Sequence, residues 1–323
     1  MSTPFYTPML TSAWRTAIRE RRLWVVAIFA GLVLGSGFGS AIIRLLAGDP
    51  TQQITLLIPF TPDGATLSAL WHQARTTGPL ATAGLLGLGA VVLAIGTFLV
   101  YMVTMSTNAV LLGNRERIAG HSVPRTLFRA GRERFWPSFA TIAVMRVIGA
   151  IIILCWMGLF ARTLAMPETT GVALAAAGFV IATLLLAVLH IVTPLALIGV
   201  VLDRQRVRVA LAEAFALLRT YRLVLTEFSL LLTAAHIVFY LALIIGGALI
   251  AIPYSIVNSI AVATGSLTLF RIALIGTIST FLVFAIACSA LFASFIASMW
   301  TQLAVRLTTT GEAPEAWITR RFR

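Results

Sequence analysis

The chain has 323 residues, 59% of them hydrophobic and only 11% charged, with a mean hydropathy of +0.97. A soluble domain is about 45–50% apolar and about 25% charged, so these proportions exclude an ordinary water-soluble fold. The net charge of +13 is the balance of 24 basic residues, all arginine, against 11 acidic ones. Their position along the chain decides whether they serve nucleic acid or a membrane.

Six apolar stretches organise the sequence: Leu23–Leu46, Leu80–Leu112, Phe139–Phe160, Val172–Leu202, Val224–Ile252 and Leu267–Leu303. Each exceeds the roughly 20 residues that cross a hydrocarbon core of about 30 Å. The expected fold is all-α, a polytopic bundle of six transmembrane helices forming a single integral membrane domain over residues 1–323. Nineteen arginines fall on one side of these spans, from Arg15, Arg19, Arg21 and Arg22 to Arg306, Arg320, Arg321 and Arg323. Arg44, Arg75, Arg162 and Arg271 fall on the other side, and Arg146 lies within a span. This positive-inside bias places both termini in the cytoplasm and the protein in the cytoplasmic (inner) membrane. The arginine face then meets anionic lipid headgroups rather than nucleic acid.

The segment Ser12–Arg22 opens the first span with an aromatic, Trp14, upstream of basic residues. The span is too long for a signal-peptide core and lacks a clear cleavage site, so it is expected to be retained. Within it Gly31, Gly35 and Gly39 form two overlapping G-x-x-x-G steps that allow close helix approach. The run Ala13-Trp14, Leu23-Trp24, Ala27-Ile28-Phe29-Ala30-Gly31-Leu32 and the glycines Gly35, Gly37 and Gly39 resemble the bacterial glycerophosphoryl diester phosphodiesterase membrane-domain family. The resemblance implies a six-span membrane region with basic interfacial helices. The catalysis that the family name suggests is not carried over, since the residues after the sixth span are expected to be only a tail.

Gly48–Pro79 reads as an external lid or re-entrant element with a short helix at Thr66–Arg75. In the second span Thr97, Tyr101, Thr104 and Asn108 share one narrow face. The segments Thr126–Trp136 and Glu213–Arg222 repeat the layout of Ser12–Arg22, which suggests a threefold repeat over residues 8–113, 122–203 and 207–307. Each unit would be one cytoplasmic amphipathic interfacial helix followed by a hairpin of two spans; Val207, Leu211, Ala214 and Leu218 have the spacing of such a helix.

Three ionisable residues stand at depth. Arg146, His190 and His236 lie about 18–21 Å from the cytoplasmic arginines at 1.5 Å per residue, near mid-bilayer. A charge there usually faces the bundle interior. With the fifth-span stripe Thr226, Ser229, Thr233, His236 and Tyr240 they define a candidate ligand site: Arg146, His190, His236, Thr233, Tyr240, Tyr101 and Asn108. Such a set suits an anionic group. Equally, the stripes fit side chains that hydrogen-bond between helices. Pro194 is expected to kink the fourth helix, Pro253–Gly265 reads as a weakly polar loop, and Glu227 can pair with Arg222. Ala290, Ser294 and Ser298 form a small-residue face on the sixth span. Cys155 and Cys288 read as core thiols.

Catalytic signatures are mostly absent: there is no glycine-rich phosphate loop, no His-Glu-x-x-His and no Cys-x-x-Cys, and an intramembrane enzyme is the third reading. No cofactor and no metal site is expected. The leading expectation is a non-enzymatic multi-pass membrane protein that binds lipid or acts as a subunit with another membrane protein. The alternative is a small exporter or lipid transporter for an anionic or amphipathic substrate.

Overall fold

A computed structural model describes residues 6–34, 79–121, 127–163 and 168–309. Every described element is a helix: α1 (Tyr6–Arg19), α2 (Arg21–Leu34), α3 (Pro79–Ile118), α4 (Leu127–Glu133), α5 (Phe135–Thr163), α6 (Glu168–Val201), α7 (Val207–Thr220), α8 (Arg222–Ala263) and α9 (Leu267–Thr309). Among the described residues five helices are long and apolar enough to cross a membrane, those at Leu93–Ile118, Phe135–Thr163, Thr169–Val201, Arg222–Ala263 and Leu267–Thr308. The first expected span is described only as far as Leu34. Gly35, Gly39 and the lid with its Thr66–Arg75 helix lie outside the described residues.

The chain divides into two compact units, residues 1–39 with 104–323, and residues 40–103. In the smaller unit the described part is the first portion of α3, whose side chains from Leu93 to Val100 are exposed. Thr97 there returns its hydroxyl to its own helix, donating to the Leu93 carbonyl at 2.8 Å.

The larger unit is held together at the end that carries the arginines. α9 packs against α2, α8 and α1, α5 against α6, and α7 against α6. Alternation of small and large residues explains the fit. Met9, Ala13 and Ala17 repeat every four residues and are fully buried, which lays α1 flush on α9. Leu23, Ala27 and Ala30 do the same for α2. α3 enters this core from Thr104 to Leu111, buried on every side. Gly113 receives Leu23, whose Cδ2 lies 2.6 Å from where a Cβ would stand, and Gly131 of α4 sits against the Met105 carbonyl, 2.8 Å from such a Cβ. A side chain at Gly131 would therefore push against backbone.

Two of the long helices end sharply at a glycine. α3 ends at Gly120 (φ +81°), where the amides of Gly120 and His121 bond back to Arg117 and Glu116. α8 ends at Gly265 (φ +62°), with Gly265 and Ser266 bonding back to Val262 and Ala261. These paired bonds to a left-handed glycine stop a helix sharply. They also correct the Pro253–Gly265 expectation: α8 continues through Pro253 to Ala263, and the connection is only Thr264–Ser266. Pairing with α9 overrides the proline. The Tyr254 ring lies over Gly276, and its hydroxyl shares a 2.9 Å hydrogen bond with Thr280. α6 likewise stays helical through Pro194 to Val201.

Candidate functional site

At the centre of the larger unit α6, α8 and α9 bring two histidines together. The rings of His190 and His236 are 6.5 Å apart and nearly perpendicular. Trp300 stands edge-on to His190 at 6.4 Å, and to Phe228 at 4.9 Å. Phe292 meets His236 edge-on at 4.8 Å and stacks on Phe239 at 4.2 Å. His236 and Trp300 are essentially sealed, 2% and 1% exposed.

The hydrogen bonds set the chemistry of His236. Its Nδ1 lies 2.7 Å from the Leu232 carbonyl. A carbonyl only accepts, so Nδ1 carries the proton and Nε2 presents a bare lone pair. That Nε2 is buried with no hydrogen-bond partner among the described residues. Ser294 Oγ, on α9, is buried in the same condition. Unsatisfied groups of this kind are rare in native folds and usually mark water, an ion or a functional contact. The site can accept one hydrogen bond from a small polar donor within an aromatic enclosure. Among the described residues no group of three His, Cys, Asp or Glu side chains could hold a metal ion.

The other candidate residues separate from this pair. Arg146 is an exposed residue of α5, next to the buried Met145. Tyr101 belongs to the smaller unit. Asn108 is structural: its Nδ2 donates to the Gly131 carbonyl at 3.0 Å and ties α4 to α3. Thr233 donates to the Ser229 carbonyl at 2.9 Å, and Thr226 to Arg222 at 2.7 Å. Those hydroxyls therefore bond within their own helix, not between helices, as threonine readily does to the carbonyl one turn back. Tyr240 is partly buried and lies 5.7 Å from the Phe239 ring. Of the small-residue face, Ala290, Ser294 and Ser298 are all buried. The thiols are not core groups: Cys155 is exposed and Cys288 half-buried, both free.

A second cluster rings the arginine end. Glu227 receives a 3.1 Å hydrogen bond from the Tyr6 hydroxyl, which also reaches the Val224 carbonyl at 3.4 Å. Burial, then the charge and hydrogen bond of Glu227, push the Tyr6 phenol above its ordinary value. Arg115 donates to the Leu202 carbonyl and Arg117 pairs with Glu20 at 3.4 Å. Burial raises the Asp203 carboxyl, Arg115 opposes the rise and Glu213 adds to it. Gln205 Nε2 donates to Glu213 Oε2 at 2.6 Å. The sequence drew no attention to Tyr6, Gly131 or Trp300. Only Trp300 carried a signal, as an aromatic set between Ser298, Thr301 and Gln302 in an otherwise apolar span.

No family model, no curated protein and no solved structure matches the chain.

Proposed function

We propose that this is a non-enzymatic, multi-pass protein of the bacterial inner membrane that binds anionic lipid through its arginine end. The observation that carries the reading is the charge layout. Arg15, Arg19, Arg115, Arg117, Arg129, Arg132, Arg204, Arg206, Arg208, Arg219 and Arg222 are all exposed at one end of the larger unit. Close to them the carboxylates are few, and Arg117 pairs with Glu20 at 3.4 Å. Each exposed charge near an anionic surface contributes about 1 kcal/mol of attraction. In this reading the chain has six spans, both termini face the cytoplasm, and α1, α4 and α7 are interfacial helices, each opening one unit of a threefold repeat. The resemblance to the glycerophosphoryl diester phosphodiesterase membrane-domain family belongs to the same proposal.

Native mass spectrometry of protein extracted with its membrane lipids tests it. Stoichiometric anionic lipid adducts are expected, and they should diminish when Arg129, Arg132, Arg208 and Arg219 are together replaced by Gln. Adducts equally abundant in both proteins, or none in either, would sink the reading. A tightly held second polypeptide would favour a membrane-subunit role.

A lipid or amphiphile exporter is the second reading. It draws on the enclosed His190–His236 pair beside helices whose far halves are exposed and apolar. The hydroxyls that bond within their own helices weigh against a continuous polar path.

A further inference from the structure

Buried residues are confined to one part of each long helix. In α5 burial stops at Met145 and returns only at Thr163. In α6 the continuously buried run begins at Ile191; between Thr169 and His190 only Gly171 and Ala182 are buried. In α8 it stops at His236, apart from Ala261, and in α9 it starts at Ala290, apart from Ala273. Beyond these points the helices pair within their hairpins. Gly178 meets Leu159, Gly246 meets Phe284 and Gly247 meets Phe281. Their remaining faces are apolar and bare, with Leu154 60%, Ile244 67% and Val283 68% exposed.

The far ends of the bare stretches are marked by polar residues: Arg162 on α5, Gly171 beside Thr170 on α6, Tyr254 followed by Ser255 on α8, and Arg271 on α9. The intervals Met145–Arg162, Gly171–Ile191, His236–Tyr254 and Arg271–Ala290 are about 17–20 residues, hence about 26–30 Å at 1.5 Å per residue. That matches the hydrocarbon thickness of about 30 Å. The four intervals agree in length, although α8 and α9 have 42 and 43 residues and α5 only 29.

We propose that the bilayer core covers only these bare halves, and that the compact arginine-bearing base stands in the headgroup layer and the water beyond it. The surface offered to the headgroups carries the exposed aromatics Trp14, Trp136 and Phe215 along with the exposed Arg15, Arg129, Arg132 and Arg219. Aromatic rings favour that layer because they join an apolar body to a polar edge, and arginine complements its phosphates. His190 and His236 then lie at the inner edge of the hydrocarbon, not at its middle. Arg146, one residue beyond Met145, reaches the phosphates by extending its stem, so its exposed position costs little. This inference rests on the multi-pass reading given above and fixes the depth at which the chain sits.

Spin labels at single cysteines test it. In a chain with Cys155→Ala and Cys288→Ala, labels go to the exposed α8 positions Leu223, Leu230, Ile237, Ile244 and Leu249, in phosphatidylethanolamine–phosphatidylglycerol vesicles. Each variant is kept only if its circular dichroism and gel filtration match the parent. The ratio of oxygen to nickel-chelate collision should peak at Ile244 and be higher at Leu249 than at Leu230. A peak at Ile237 with Leu230 above Leu249, a displacement of about 10 Å along the helix, would overturn the proposal. Labels at Val147 and Leu154 of α5 give an independent check, with Leu154 expected to be the more oxygen-accessible and the reverse order refuting the slab. A flat profile on both helices would instead sink the multi-pass reading itself.

Discussion

The two halves of the larger unit are built on opposite rules. At the arginine end, side chains interlock around Trp300, Phe228, Leu225 and Met299, and helices approach through Ala13, Ala17, Gly113 and Gly131. Toward the other end, among the described residues, equally apolar helices meet within their hairpins and leave Ile244, Val238 and Val283 bare. Hydrophobicity alone does not separate them, since both halves are rich in Leu, Ile and Val. What separates them is volume and polarity. The base supplies small residues for close contact and polar groups such as Asn108, Ser138, Thr141 and Gln302 that need partners. The far half supplies branched aliphatics that lipid satisfies as well as protein does.

The comparison breaks most readily at Trp300. Replacing it with Ala empties the space between His190 and Phe228 and should cost about 3–5 kcal/mol, as for other buried tryptophans. Ile244→Ala in the far half removes a side chain that is 67% exposed and should change stability by less than about 0.5 kcal/mol. Thermal unfolding of each variant in the same lipid–detergent mixture measures both. Equal losses would mean that the far half is also a packed core.

Glycines sharpen the contrast without altering hydrophobicity. A Cβ at Gly131 would stand 2.8 Å from the Met105 carbonyl, so Gly131→Ala forces α4 away from α3 and should destabilise by about 1–3 kcal/mol. At Gly158, in the far half of α5, nothing lies within 4 Å of the added atom. Gly158→Ala should then be neutral or stabilise by up to about 1 kcal/mol through the helix preference of alanine. The same unfolding assay reads the sign of each change.

Much of this architecture was legible in the apolar runs. Segments such as Val172–Leu202 leave no alternative to a long buried or lipid-facing helix, and arginine placement marked one end. The meeting of His190 with His236 agrees with their similar expected depth below the arginines. The faces did not follow. A helix that is apolar all round carries no stripe to say which side meets a neighbour, so Arg146 was grouped with the histidines although the residue is exposed and they are not. Threonine stripes misled for a related reason: a hydroxyl can satisfy itself on the preceding turn, and Thr233 does. The far end of α8 was hidden because Pro253 and the polar residues after it read as a loop in isolation. Its partners lie far along the chain: the Tyr254 ring packs over Gly276, 22 residues away, and its hydroxyl meets Thr280.

Tyr6 ties α1 to the base and offers a pH readout. Tyr6→Phe removes the hydrogen bond to Glu227 and should cost about 1 kcal/mol. The folded phenol is held above its ordinary value of 10.0, so it keeps its proton when the unfolded chain has lost its own. Stability should therefore fall as pH rises past about 10 in the parent, because the folded state then binds more protons than the unfolded one. In Tyr6→Phe that alkaline loss should be missing. An unchanged slope would show that Tyr6 does not carry it.

The smallest expected effect bears most directly on where the base stands. Arg117 and Glu20 form a 3.4 Å ion pair with 39% and 21% of their side chains exposed. If the base meets water and headgroups, Glu20→Gln leaves Arg117 solvated and should cost no more than about 0.5 kcal/mol, as exposed pairs usually do. The residual difference between variant and parent should vanish in about 1 M salt, where screening acts within about 3 Å. Were this end sunk in hydrocarbon, the same substitution would strand a charge, with an insertion cost of at least about 2.5 kcal/mol and little response to salt. A loss that large would draw the base into the membrane and erase the distinction between the two halves.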